Sequence, residues 1–299
     1  MGQPPAPAEE PWSILRLLDW TTRFFGSKGI ESARLDAELL LAHALGCRRI
    51  DLYARYDQVP QGEPLARFRD MVRQRGRRVP AKYLTGHTEF CSLALAVGHG
   101  VLIPRPETEL LVERALELLP AAGEPLAADL GTGSGAIAIA VATRHQQARV
   151  VATDLSPEAL AVARANAERH GLSGRIDVRQ GHWFDALEPS TALDAILSNP
   201  PYVARAELAQ AMPEVRDHEP RVALDGGPDG LDALRVLVAG APQWLKPGGW
   251  LVVEVGAGQA ARVAELATTT EQYETVDTRP DYQGIDRIVS MSRKRQIAE

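Results

Sequence analysis

Cysteine is almost missing from this 299-residue chain, which has only Cys47 and Cys91. Two cysteines cannot build a disulfide framework, so the composition fits a reducing compartment. Long apolar runs are missing as well. The best candidate, residues 136–142, is soon closed by Arg144 and His145, far short of the ~18 apolar residues that a membrane span needs. The first residues, MGQPPAPAEEP, lack the basic and apolar regions of a signal peptide, and residue 6 is Ala where a myristoylation signal has Ser or Thr. The expectation is a cytoplasmic protein with a disordered tail over 1–11. Common catalytic signatures are absent too. The seven histidines show no HExxH spacing and the cysteines no CxxC, so no metal site is expected, and neither a Walker A nor a GxSxG pattern occurs.

What is present describes a globular protein: 45% hydrophobic and 24% charged residues, at a length that suggests two domains. The formal net charge of -6 does not favour a nucleic-acid backbone as the main partner, and no direct DNA binding is expected. One basic run stands out, Arg67, Arg69, Arg73, Arg75, Arg77, Arg78 and Lys82 against Asp70 alone. It reads first as a solvated helix face and second as a contact for an acidic or RNA-bearing partner.

Apolar residues recur at three- and four-residue spacing over 12–78, as in Ile14, Leu17, Leu18 and Leu35, Leu39, Leu40. That spacing predicts three or four amphipathic helices in a small bundle. Over 83–105 the pattern becomes alternating (Leu93, Leu95, Val97, then Val101, Ile103) around Gly98 and Gly100, which predicts a β-hairpin linker. The organisation expected is therefore a helical domain at 12–82, the hairpin at 83–105 and a larger domain at 106–299. In the latter, strands at 126–130, 149–153, 176–179, 195–198 and 250–255 alternate with helical stretches such as 136–144 and 157–170. This argues for an α/β fold with a parallel sheet covered on both faces. The last strands, near 275–277 and 287–291, are too close together for a helical crossover and should pair antiparallel.

Three motifs carry chemistry. Asp129-Leu-Gly131-Thr132-Gly133-Ser134-Gly135 follows a predicted strand and opens a predicted helix. Its glycines permit a tight turn and let a ligand approach the backbone beside a helix N-terminus. The spacing is GxGxG, with Ala136 where a GxGxxG dinucleotide loop would continue. Asp154 ends the next strand, where a carboxylate can accept two hydrogen bonds from a ribose diol; followed by Ser156 and Pro157, it could also be a helix cap. Asn199-Pro200-Pro201-Tyr202 follows the strand DAILS. Proline lacks an N–H and fixes φ, so this segment is stiff and its carbonyls are free to accept. The Asn199 side-chain oxygen and the Pro200 carbonyl can together receive both hydrogens of a planar NH2 group, with Tyr202 as an aromatic wall.

With these motifs, the chain resembles the HemK/PrmC protein-(glutamine-N5) methyltransferases that modify peptide chain release factors. Along most of its length it carries RLDAELLLAHALG (34–46), YLTGHTEF (83–90), LIPRPETELLVERAL (102–116), DLGTGSGAIAIA, SNPPY and EPRVALDGGPDGL (219–231). The resemblance implies a Rossmann-like class I methyltransferase that uses S-adenosyl-L-methionine, leaves S-adenosyl-L-homocysteine and acts in translation termination. It further implies that Asp129, Gly131, Thr132, Gly133, Ser134, Gly135, Asp154 and Asn199 contact the cofactor and that Trp183 sits beside its adenine. Asn199, Pro200, Pro201 and Tyr202 would bind the glutamine of a Gly-Gly-Gln loop, with Asn199, Pro200 and Tyr202 in catalysis. The implied partners are class 1 release factors, with the ribosome nearby. His182 stands where the family often has Asp, and Cys91 where an aromatic is common. The competing reading is an adenine or guanine amino-methyltransferase of DNA or RNA, which would share Asn199 to Tyr202 but call for a basic cleft or domain.

Overall fold

The computed structural model describes residues 11–295, so residues 1–10 of the expected tail lie outside the described residues. The chain divides between Gly86 and His87 into two compact units. The first holds helices α1 (Ile14–Ser27), α2 (Ala33–Leu45), α3 (Arg49–Ala54), α4 (Gly62–Gly76) and α5 (Ala81–Thr85). Ser13 starts α1 by accepting a hydrogen bond from the Arg16 amide. Gly46, left-handed at φ 63°, ends α2 with its amide on the carbonyls of Ala42 and His43. The apolar stripes predicted from spacing meet in one core that includes Ile14, Leu18, Phe25, Leu41 and Phe68. The basic run is not one continuous surface. Arg75 turns inward to a buried ion pair with Asp36 at 2.7 Å, while Arg67 and Arg73 pair with Glu63 and Asp70 along the exposed side of α4.

The second unit opens with a two-stranded hairpin, β1 (His87–Phe90) and β2 (Leu93–Ala96). Its turn is Cys91-Ser92, not the glycines at 98 and 100 that the alternation pointed to. Both turn residues have positive φ, 50° and 62°, the requirement of the tight hairpin turn for which Asn-Gly is the usual signal. That signal is missing here, and the turn is held instead by the Cys91 amide donating to Glu109 at 2.8 Å. Residues 97–107 run on without regular structure, and Gly100 passes close enough to Glu158 that a Cβ would lie 3.2 Å from it.

After α6 (Thr108–Leu118) the strand and helix units follow: β3 (Leu126–Leu130), α7 (Ala136–Arg144), β4 (Arg149–Asp154), α8 (Pro157–Arg169), β5 (Ile176–Gln180) and β6 (Leu193–Ser198). Next come α9 (Arg205–Leu208), α10 (Pro213–His218), α11 (Asp232–Gly240), β7 (Leu245–Glu254), α12 (Ala260–Thr269), β8 (Tyr273–Pro280) and β9 (Asp286–Arg293). Seven strands form one sheet in the order β5-β4-β3-β6-β7-β9-β8. All neighbours are parallel except β9, which is antiparallel to both β7 and β8. Side chains alternate between the faces: Val150, Ala152 and Leu197 pack under α6 and α7, whereas Val151, Ile196 and Val253 pack under α11 and α12. The strand order reverses between β3 and β6, and the carboxyl ends at such a point form a natural ligand crevice.

Candidate active site

A cleft of about 650 Å³ opens at that point, bordered by Gly131 and Gly133 after β3, Asp154 at the end of β4, Trp183, and Asn199 and Pro201 after β6. The glycine loop is pinned from below. The amides of Gly131 and Thr132 both donate to the Thr153 carbonyl, and the Gly133 amide donates to Asp154 Oδ2 at 2.9 Å. Gly131, Gly133 and Gly135 all have positive φ, which only glycine adopts without strain. A Cβ on Gly131 would meet the Trp183 ring at 3.4 Å. Trp183 itself has φ 49°, a rare state for a bulky residue, so the fold holds its ring in place over the loop.

Asp154 uses Oδ2 for the Gly133 amide and Oδ1 for the Ser156 amide, so it is both a cap and a cleft group with lone pairs to spare. Asp129, expected among the cofactor contacts, lies instead wholly buried beneath the loop. Its Oδ2 accepts from Thr132 Oγ1 at 2.6 Å and from the Ala138 amide at 3.1 Å, and its Oδ1 has no partner. Burial pushes its carboxyl up to about 7 against those two hydrogen bonds, and nearby Asp154 adds to the rise. Thr132 and Ser134 are also buried. Their work is to shape the loop: the Ser134 carbonyl accepts from Asn166 Nδ2, and the same Asn166 side chain exchanges hydrogen bonds with Ala96 of β2.

Asn199 Nδ2 donates to Thr108 Oγ1 at 3.0 Å, and Thr108 Oγ1 donates to Glu254 Oε2 at 2.6 Å. Tyr202 donates its hydroxyl to Glu254 Oε1 at 3.0 Å. Burial raises the Glu254 carboxyl, the hydrogen bonds from Thr108 and Tyr202 oppose this, Glu107 adds to the rise and Arg287 counters it. Burial and the Glu254 carboxylate hold the Tyr202 phenol well above the ordinary tyrosine range. Tyr202 is therefore a fixed, protonated wall and no proton acceptor.

Behind this segment, Val203 pairs with Asp225, and Gln259 Nε2 donates to the Tyr202 carbonyl at 2.9 Å. A Cβ on Gly226 would lie 2.8 Å from the Pro201 carbonyl oxygen, and one on Gly230 only 2.4 Å from that of Tyr202. The loop over 219–231 thus seats against Pro201 and Tyr202 because glycine stands at those positions. Arg105 pairs with buried Glu219 at 2.5 Å and joins that loop to the 102–116 stretch.

The family profile described as the PrmC N-terminal domain matches residues 16–86, and that of the methyltransferase small domain matches residues 107–216. A release factor glutamine methyltransferase of Geobacter sulfurreducens is 46% identical over 280 residues, spanning 94% of this chain and 96% of its own. One of Rhodopirellula baltica is 43% identical over 289 residues, spanning 95% and 98%. The chain belongs to the release factor glutamine methyltransferase family. Among solved structures, the hMettl16 catalytic domain in complex with the MAT2A 3′UTR hairpin superimposes with a TM-score of 0.58 at 15% identity, over 73% of this chain and 83% of that one. A methyltransferase from Pyrococcus furiosus gives 0.50 at 18% identity, over 68% and 89%. At such identities these two share the fold alone, and the fold is that of the class I methyltransferases.

Sequence reasoning missed Thr108, Glu254, Gln259, Asn166 and the packed glycines Gly226 and Gly230, which contact residues of the candidate site. Thr108 and the two glycines stand within stretches that carried the resemblance, so a signal existed without a role attached. Glu254 and Gln259 gave none, because a single carboxylate at a strand end and a single Gln in a loop are common anywhere. No helix among the described residues is long and apolar enough to cross a membrane.

Proposed function

We propose that this chain methylates the side-chain amide nitrogen of the Gly-Gly-Gln glutamine of class 1 peptide chain release factors, in the cytoplasm and close to the ribosome, using S-adenosyl-L-methionine. One observation carries the reading: Asn199 borders the cleft and keeps its Nδ2 on Thr108, which leaves its Oδ1 to accept there, while the carbonyl of Pro200, a buried residue that is not among those bordering the cleft, takes no hydrogen bond among the described residues. The cleft suits the cofactor, because its glycine backbone admits close approach, Asp154 retains acceptor capacity for a ribose diol, and the Trp183 ring offers a flat face. Gly131, Gly133, Asp154 and Trp183 would hold S-adenosyl-L-methionine directly, with Asp129, Thr132, Ser134 and Gly135 setting the loop. When bound there, it supplies a sulfonium-activated methyl group.

The chain's own part is positioning. An amide nitrogen is a weak nucleophile because its lone pair is delocalised into the carbonyl. Asn199 Oδ1 and the Pro200 carbonyl accept the two amide hydrogens and turn the nitrogen toward the cleft. The same oxygens stabilise positive charge that builds on that nitrogen in a site where they cannot reorient. Pro201 and Tyr202, locked by Gln259 and Glu254, close the back of the pocket. No general base is required, since an N-protonated amide is acidic enough to lose its proton to water. Incubation with labelled S-adenosyl-L-methionine and a purified release factor should place one methyl group on the Gly-Gly-Gln glutamine, as mapped by peptide mass spectrometry. Label in nucleic acid with none in release factor would overturn the proposal.

A further inference from the structure

The two ends of an asparagine side-chain amide are nearly the same size, so packing alone does not decide whether oxygen or NH2 faces a neighbour. For Asn199 the choice is decisive. With Oδ1 toward the cleft it accepts from a substrate amine; with Nδ2 there, two NH2 groups would face each other and the amine would be repelled. The polypeptide backbone around Asn199 permits both, and the surroundings must choose.

We infer that Thr108 and Glu254 are positioning residues that set the polarity of Asn199 by a one-way chain of hydrogen bonds. Glu254 ends β7, Asn199 directly follows β6, and these strands are parallel neighbours with Ser198 opposite Val253. Thr108, at the first position of α6, bridges them. Thr108 and Glu254 are 3% and 1% exposed, so water does not replace either partner. Both Glu254 oxygens accept: one takes the single hydroxyl proton of Thr108 and the other that of Tyr202. With its proton spent, Thr108 Oγ1 can only accept from Asn199. Asn199 must then turn its NH2 toward Thr108 and its oxygen to the substrate. The same side chain fixes the Tyr202 hydroxyl, so both groups beside the amine are set by one buried carboxyl.

This inference rests on the proposed amide methylation, and a double-mutant cycle separates the two. Thr108→Val keeps the shape of the side chain and removes the acceptor. It should lower kcat on release factor by about ten- to a hundredfold, the scale of a misoriented reacting group, with cofactor affinity by calorimetry and KM for release factor changed less than about threefold. Thr108→Ser should restore most of the turnover. In an Asn199→Asp background oxygen faces both ways and polarity no longer matters, so adding Thr108→Val there should lower kcat less than about threefold further. A readout independent of turnover is the Asn199 side-chain NH2 signal in nitrogen-edited NMR, which should exchange slowly with solvent in the wild type and fast in Thr108→Val. Equal losses in the two backgrounds, or wild-type turnover of Thr108→Val, would overturn the inference by reducing Thr108 to a packing residue. A wild-type chain that labels no release factor would sink the proposed function, and the inference with it.

Discussion

Gly230 and Gly171 form a matched pair that tests how the 219–231 loop supports the site. Both belong to the second unit and both are left-handed, at φ 77° and 69°. A Cβ on Gly171, just past the end of α8, would meet nothing within 4 Å, whereas one on Gly230 would overlap the Tyr202 carbonyl oxygen at 2.4 Å and Gln259 Nε2 at 2.5 Å. Substituting alanine at either position forces a left-handed backbone that is unfavourable by roughly 1–2 kcal/mol. The loss of unfolded-chain freedom is common to both and cancels in the comparison. Gly230→Ala carries in addition an overpacking strain of roughly 1–3 kcal/mol, because backbone cannot rotate away as a side-chain tip can. At about 2–4 °C per kcal/mol for a domain of this size, and with the roughly 0.4–1 kcal/mol gained from the stiffer unfolded chain subtracted, Gly171→Ala should lower Tm by at most about 6 °C and Gly230→Ala by several degrees more. The strain also falls on the carbonyl and the Gln259 bond that hold Tyr202, so Gly230→Ala should lose at least about tenfold in methyl transfer while Gly171→Ala keeps it. Thermal melts and initial rates on release factor give both numbers. If the two variants melted and turned over alike, the loop would not be packed on Tyr202 as described, and its glycines would need another explanation.

Other expectations follow from the same geometry. Asp154→Ala should weaken S-adenosyl-L-methionine binding by ~1.5–3 kcal/mol, as read by calorimetry; unchanged affinity would leave Asp154 as a cap for Gly133 and Ser156 only. Asn199→Ala should keep cofactor affinity and lower turnover by roughly 10² to 10³, with Asn199→Asp less harmed, and wild-type rates in both would refute the acceptor pair. Asp129 binds its proton more tightly folded than unfolded, so its contribution to stability is full below about pH 4 and is lost as pH rises toward about 7. Denaturation of Asp129→Asn should therefore lack a component of up to ~1.4 kcal/mol per pH unit across that window, and a slope equal to the wild type would place the titration elsewhere. A chain beginning at His87 keeps both apolar clusters of the sheet and none of the helical core. It should still bind S-adenosyl-L-methionine but methylate intact release factor far more slowly and with a higher KM; equal activity would remove the helical unit from substrate recognition.

The sheet was legible because its strands are short apolar runs at regular spacing, and a parallel strand buried on both faces has little else to be made of. Leu126–Leu130 and Arg149–Asp154 fall where the apolar runs put them, and the antiparallel β8 and β9 follow from the short loop between them. The hairpin turn was not legible, because Cys91-Ser92 has no intrinsic preference for positive φ and depends on Glu109, eighteen residues away. In the site, motif residues that meet through backbone proximity were visible: Gly131, Gly133, Asp154 and Asn199 border one cleft. The placement of Asp129 was not, since a carboxylate beneath a loop and one on its surface look the same in sequence. Thr108 and Glu254 escaped for a related reason. Their importance lies in the direction of two hydrogen bonds between residues 146 and 91 positions apart, and direction has no sequence signature.

An Asn oxygen beside a proline carbonyl will accept from any planar NH2, whether of glutamine, adenine or guanine, so the Asn199-to-Tyr202 segment specifies a chemistry and not a substrate. Two of the stretches that carried the family resemblance reach this segment from two sides. From the 102–116 stretch Thr108 fixes the Asn199 amide, and from the 219–231 stretch Gly226 and Gly230 press on Pro201 and Tyr202. Arg105 and Glu219 tie the two stretches together through an ion pair whose carboxylate is buried, and drawing a guanidinium away from a buried carboxylate is costly. The proposed acceptor pair is thereby held in a frame built from those two stretches. A glutamine side chain is slimmer than a base, and the glycines beside it in a Gly-Gly-Gln loop carry no side chains to strike the frame. Selection against nucleobases is therefore expected to come from what surrounds Asn199 and Pro200, by excluding the wider amine rather than by binding the narrower one more tightly, and methylation of free adenine or of RNA at a rate near that on release factor would refute it.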